Sequence, residues 1–128
     1  MIDEKLLEQL SELIGGDKAA LNELIETFLE EGADIVTEMK SALNDKNIDV
    51  LRRGAHSLKS SAQDFGAINL SELSATLESQ CKNGWPESAA LQTDGIADSF
   101  ASSASELQQY LNSQNYIWDR IVLQCAMA

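Results

Sequence analysis

The sequence predicts an all-α fold, an antiparallel four-helix bundle with an additional short N-terminal helix, and three observations carry that expectation. Apolar residues recur at three- and four-residue spacing nearly throughout the chain, and nowhere with the two-residue period of a strand. One proline and seven glycines are all that interrupt 128 residues. Leucine, alanine, glutamate and serine dominate, and straight-chain residues and alanine favour helix.

Each element follows from local signals. Asp3 is placed to cap a first helix carrying Leu6, Leu7, Leu10, Leu13 and Ile14, closed by Gly15-Gly16. Asp17 is placed to cap the second. Its stripe runs through Leu21, Leu24, Ile25, Phe28, Leu29, Ile35, Val36, Met39 and Leu43. Gly32 falls inside that stripe without ending it, because an isolated glycine costs a helix about 1 kcal/mol. Asn44-Asp45-Lys46-Asn47 makes a polar turn, and a third helix is expected from Ile48 to Asp64 or Phe65, stopped by Gly66. Asn69 and Glu72 resemble a capping box that opens a fourth helix through Leu70, Leu73, Leu77 and Cys81. Asn83-Gly84 closes it. Pro86 suits the first turn of a fifth helix, which carries Leu91, Ile96, Phe100, Ala104, Leu107 and Leu111. Four long helices joined by short turns pack as an antiparallel bundle, each burying one stripe, with the first helix across one end or side.

Composition narrows the function classes. The formal net charge is −12, from 21 acidic and 9 basic residues. Such a surface repels nucleic acid and anionic lipid, since neutralising phosphates takes clustered Lys and Arg. Protein partners fit it better. Cys81 and Cys125 form neither a zinc pattern nor a secreted disulfide framework, so two reduced thiols in the cytoplasm are expected. The opening Met1-Ile2-Asp3-Glu4-Lys5 lacks the basic start and apolar run of a secretory leader. No apolar run approaches the roughly 20 residues that span a bilayer.

The third helix concentrates the chemistry-bearing side chains. At about 100° per residue with Leu51 at zero, Ala55, Leu58, Ala62 and Phe65 fall within about 40° of it and form a buried stripe. His56 falls near 140°, and Arg52, Lys59, Ser60 and Gln63 lie between about 80° and 180°. The chain's one histidine is thus expected to be exposed, midway along a rigid helix, among cationic and hydrogen-bonding groups. A neutral imidazole is a nucleophile near neutral pH, and a phosphate placed on it calls for local positive charge. The same pattern also suits a solvated histidine among ordinary surface charges, because the wheel gives exposure and not reactivity.

The segment Ala55-His56-Ser57-Leu58-Lys59-Ser60-Ser61-Ala62-Gln63-Asp64-Phe65-Gly66-Ala67 resembles the signature of the histidine phosphotransfer (HPt) family, an Ala-His-x-Leu-Lys-Gly-Ser stretch running on to Gly-Ala. Leu70-Ser71-Glu72-Leu73 and Leu77-Glu78 continue the likeness. Upstream, Gly16-Asp17, Leu24-Ile25, Phe28-Leu29, Ala42-Leu43 and Asp49 resemble its lead-in. The likeness spans residues 2–113. It implies that His56 accepts the phosphoryl group and that Lys59 steadies it. Arg52, Ser60 and Gln63 would be receiver-facing, Ser61 would hold local helix packing, and Gly66 would end the active helix. Ser60 departs from the family pattern, which has glycine there, and would slow transfer or narrow partner choice.

The resemblance further implies a relay. A receiver domain's phospho-aspartate is attacked by the histidine, and the phosphohistidine then passes its phosphoryl group to another receiver aspartate. Response-regulator receiver domains and a hybrid sensor histidine kinase would be the partners. Magnesium would belong to the receiver, and the chain itself would hold no metal or cofactor. With no Gly-rich nucleotide loop, it would be a phosphocarrier and not an enzyme, cytoplasmic and monomeric. Two other readings stand beside this one. One is a helical adaptor that signals by docking alone, although such a protein would commonly have lost His56 or Lys59. The other is a hydrolase or metal site, disfavoured by a single histidine and by Ser57 lying about 100° from it on the wheel. The domain is expected to occupy residues 1–115. Residues 116–128, with Tyr116, Ile117, Trp118, Ile121, Val122 and Leu123, form an apolar extension that continues the last helix or makes a tail. Trp85 is expected to pack rather than bind.

Overall fold

Local capping chemistry decides where the helices begin. The computed structural model describes the backbone of residues 2–127 and the side chains of residues 2–113. Five helices follow in order: α1 (Glu4–Leu13), α2 (Lys18–Asp45), α3 (Ile48–Asp64), α4 (Ile68–Cys81) and α5 (Ala89–Met127). Asp3 accepts from the Lys5 N–H at 3.0 Å and Asp17 from the Ala19 N–H at 2.9 Å, so both expected aspartate caps form. Asn47 caps α3 through the Val50 N–H at 3.2 Å, and Lys46 just before it takes a left-handed conformation.

Helices α2 to α5 close a ring in which α3 packs on α2 and α4, while α5 packs on α2 and α4 from the opposite side. The short turns between consecutive helices make neighbours antiparallel, which is the bundle the periodicity predicts. Helix α1 lies against α2 and α3. Ile2 forms an isolated antiparallel bridge with Ala67, and the Asp3 N–H donates to the Gly66 carbonyl at 2.8 Å. That bridge ties the start of the chain to the α3–α4 turn. No strand occurs among the described residues.

The core is aliphatic with one aromatic cluster. Leu51, Ala55, Leu58 and Ala62 line the buried side of α3, as the wheel places them. Phe28 stacks on Phe65 with ring centroids 4.7 Å apart and meets Phe100 edge-on at 5.9 Å, which joins α2, the end of α3 and α5. Gly32 is needed where the Phe100 ring crosses α2, because a Cβ there would collide with that ring.

Several expectations are corrected. Asn69 and Glu72 do not form a capping box, because α4 begins at Ile68 with Ala67 at its N-cap position and no side-chain cap. Gly66 turns the chain with φ 78°, Ala67 closes back onto the Ala62 carbonyl at 2.8 Å, and Asn69 instead donates to Ser99 Oγ on α5 at 3.0 Å. Pro86 does not sit in the first turn of α5. Its carbonyl accepts from the Ala89 N–H at 3.2 Å, so the helix starts at Ala89. Leu91 is not on the buried stripe but 74% exposed. It lies about 140° from Ile96, and Ala89 and Thr93 take the inward positions. Leu13 is 83% exposed, about 120° from the buried Leu7. Leu24 also leaves the α2 core, while Trp85 packs against the hydrophobic cluster as expected. The apolar side chains from Tyr116 to Leu123 lie outside the described side chains.

Candidate functional site

The outer face of α3 is held in place from beneath and from one side. Leu51, Ala55 and Leu58 anchor its inner face in the core. From α4, the buried Ser71 donates its hydroxyl to the Lys59 carbonyl at 2.9 Å. That bond fixes α3 against α4 one turn after His56. The His56 side chain is 62% exposed, so the expected presentation of an accessible imidazole on a rigid helix is what the fold provides.

The imidazole is not free-standing. Its Nδ1 lies 3.1 Å from Oε1 of Glu78 on α4, and Lys59 Nζ lies 2.9 Å from the other oxygen, Oε2. Glu78 is buried and forms the hub of a three-residue cluster. The Lys59 ammonium, against the opposing effect of burial, holds the Glu78 carboxyl below its ordinary pKa, and His56 adds to the same effect. A buried carboxylate with two cationic or N–H partners is kept ionised in this way.

Around this cluster runs a groove of about 470 Å³ lined by Arg52, Arg53, His56, Ser57, Glu78 and Lys82. Arg52 also pairs with Asp49 at 3.4 Å. Arg52, Arg53, Lys59 and Lys82 are four of the nine basic residues in a chain of net charge −12. They surround the one histidine. In chemical terms the site offers an exposed nitrogen nucleophile, an adjacent ammonium and a cationic groove suited to a phosphoryl group.

The structure therefore groups His56, Lys59 and Arg52 as expected. Ser60 is exposed one turn beyond His56 on the same face. Gln63 lies further along, in a second groove of about 150 Å³ with Leu6, Gln9, Leu10, Leu13 and Asp64, against α1 and away from the imidazole. Ser61 is half-buried, and its carbonyl accepts the Phe65 N–H at 3.3 Å. Gly66 ends α3 with a positive φ that an L side chain rarely adopts, and a Cβ there would also strike the Asp3 carbonyl.

Glu78, Arg53 and Lys82 were not singled out as site residues from the sequence. For Glu78 a signal existed. Leu70, Ser71, Ser74, Leu77, Glu78 and Cys81 form the buried side of α4, so an acidic residue stands on a core stripe, where it needs a partner. Arg53 and Lys82 carried no such signal, because exposed basic residues on a helix are commonplace.

The family model for the Hpt domain matches residues 23–114. Phosphorelay protein LuxU of Vibrio vulnificus, in strains YJ016 and CMCP6, is 30% identical over 84 residues, which cover 66% of this chain and 71% of LuxU. The fold is shared with the crystal structure of histidine-containing phosphotransfer protein B from Pseudomonas aeruginosa PAO1. That match has a TM-score of 0.80 at 22% identity and covers 88% of this chain and 95% of that one. With the family model covering most of the chain, and an exposed histidine on α3 of the helical bundle, the chain belongs to the Hpt family, the histidine phosphotransfer domains of two-component phosphorelays.

Proposed function

We propose that His56 is the phosphoryl carrier of this protein, accepting the group from one receiver aspartate and delivering it to another. The observation that carries the reading is the exposed imidazole held 3.1 Å from Glu78, with the Lys59 ammonium on the same carboxylate at 2.9 Å. Nε2 is the ring nitrogen left for attack, because Nδ1 is engaged. Its lone pair forms the N–P bond as the P–O bond to the receiver aspartate breaks, and the carboxylate departs with that electron pair. Lys59, one helical turn along, supplies positive charge to the phosphoryl oxygens. Arg52, Arg53 and Lys82 add a field that favours the approach of an anionic partner.

On this reading the protein is a phosphocarrier without a nucleotide site, and the receiver brings magnesium and most of the transition-state stabilisation. It works as a monomer in the cytoplasm, between a hybrid sensor kinase and response regulators, and does not bind nucleic acid. No helix among the described residues is long and apolar enough to cross a membrane. Receiver docking uses the outer face of α3 with Ser60 exposed on it, flanked by the α1 groove at Gln63 and Leu13.

The test is phosphoryl transfer from a panel of radiolabelled phospho-receivers to the protein and to His56→Gln. Acid-labile, base-stable label on the wild type alone is the expected result. Equal label on both proteins would move the carrier elsewhere. No label on either, across the panel, would favour docking without transfer.

A further inference from the structure

We propose that the cationic groove beside His56 is a binding site for small acyl phosphates, and that His56 takes a phosphoryl group directly from such a donor without a receiver. The inference rests on His56 as the carrier and names a second class of donor for the same nitrogen.

The groove has the size and the lining of a small-ligand site. Its volume, about 470 Å³, lies within the ~300–1,000 Å³ that such sites occupy. Arg52 and Arg53 line it from α3, and Lys82 lines it from just past the end of α4. His56 lines it too, with its side chain 62% exposed, so a ligand held there lies alongside the nucleophile. Glu78 is the one acidic lining residue. Lys59 pairs with it at 2.9 Å, so the carboxylate is offset and the remaining charges along the groove are positive.

Charge placement says what such a site would take. In a chain of net charge −12, a trench of cations concentrates small anions that the rest of the surface repels. An acyl phosphate is such an anion, and its mixed anhydride bond is the bond that a receiver's phospho-aspartate presents. A nucleophile suited to one meets the same leaving group in the other. A receiver brings magnesium to its own phosphoryl group. A free acyl phosphate arrives without a protein around it, and this is the donor that needs the charge of the groove.

The step balances without a further reactant. The Nε2 lone pair forms the N–P bond, the P–O bond to the acyl oxygen breaks, and the free carboxylate leaves with that electron pair. Arg53 and Lys82 hold the donor's phosphoryl oxygens in the groove, and Lys59 and Arg52 supply positive charge nearer the imidazole. Transfer by this route is slower than from a receiver, whose metal polarises the phosphoryl group.

The test uses the full chain and acetyl phosphate radiolabelled at phosphorus, with a chelator present and no receiver. Wild type is expected to take up acid-labile, base-stable label at a rate that saturates with donor concentration, and unlabelled inorganic phosphate is expected to compete. His56→Gln is expected to take up none. Arg53→Gln combined with Lys82→Gln changes two exposed positions, which the fold tolerates. It should lower the rate at sub-saturating donor about 10-fold, the lower end of what a cleft of one charge sign contributes. A rate strictly proportional to donor concentration and equal in the double variant would overturn the binding site. A wild type that stays unlabelled by acetyl phosphate yet takes label from a phospho-receiver would overturn the proposal and leave the carrier assignment intact. Failure with both donors would remove the carrier assignment and this donor with it.

Discussion

The two flanks of α3 are built from opposite materials. Toward α4 the groove is cationic and larger, with Arg52, Arg53 and Lys82 beside His56 and a buried carboxylate at its base. Toward α1 it is smaller and mostly apolar, with Leu6, Leu10 and Leu13 against Gln63, and Asp64 its one charged lining residue. One helix thus presents the proposed carrier histidine on a charged seam and an exposed leucine side chain on a greasy one. The difference teaches that reactivity and recognition need different physics. Charge acts on the transferring phosphoryl group, whereas exposed apolar area contributes to docking by leaving water. If the division holds, substitutions on the α4 flank change the maximal transfer rate and those on the α1 flank change apparent affinity.

The largest effect is expected on the α4 flank. Lys59→Ala removes the ammonium nearest the imidazole and should lower the maximal transfer rate by about 100-fold, the scale seen when one preorganised charge-stabilising donor is lost. Stopped-flow or quenched transfer at saturating receiver measures it. A wild-type rate would show that the lysine serves only as a partner for Glu78. On the α1 flank, Leu13→Asp should raise the half-saturating receiver concentration about 10-fold, equivalent to about 1.4 kcal/mol, and leave the maximal rate alone. Leu13 is 83% exposed, so the fold tolerates the change. A lowered maximal rate with unchanged affinity would erase the distinction between the flanks.

Much of this arrangement is legible in the sequence, and the parts that are not have identifiable causes. The α3 boundaries and its buried stripe follow from periodicity, since Leu51, Ala55, Leu58 and Ala62 repeat at helical spacing on a helix packed from two sides. The exposure of His56 follows from the same wheel. Glu78 is harder to find, because the contact that gives it a role spans 22 positions and depends on how α3 and α4 pack. A wheel drawn for one helix cannot supply that. The capping box at Asn69 fails for a related reason. The turn is already made by Gly66 and secured by Asp3, so the asparagine is released for a bond to α5. Leu91 illustrates the sensitivity of a helical wheel to its reference: its angle is correct only when measured from the buried Ile96, Phe100 and Leu107 that α5 settles on.

Gly66 lies at the junction that holds both flanks together, and Gly66→Ala tests it. At φ 78° an alanine costs about 1–2 kcal/mol from backbone conformation alone, and its Cβ also meets the Asp3 carbonyl. Urea denaturation should therefore show a loss of at least about 1 kcal/mol. Because the Asp3–Gly66 bond ties α1 to the α3–α4 turn, receiver affinity should weaken before the maximal rate does. Unaltered stability would mean that the turn relaxes into a conformation open to any residue.

The smallest effect, and the most specific to the α4 flank, is the pH dependence contributed by Glu78. Its folded-state pKa lies below the ordinary carboxylate value, chiefly because of Lys59. A depressed pKa means that the folded state binds a proton less readily than the unfolded chain, so stability from this group is fully present above the unfolded value near 4.3 and is lost as pH falls through the folded value. Thermal melts of wild type and Glu78→Gln should accordingly differ most at pH 6–7, with the gap closing below about pH 4. The α1 flank offers a control, because Gln63→Ala removes no charge and should leave the shape of the pH profile unchanged. A gap between wild type and Glu78→Gln that does not change with pH, or that widens on acidification, would mean that the carboxylate is worth no more folded than unfolded. The Lys59–Glu78 pair would then hold geometry for transfer without contributing to stability, and the α4 flank would be tuned for reactivity alone.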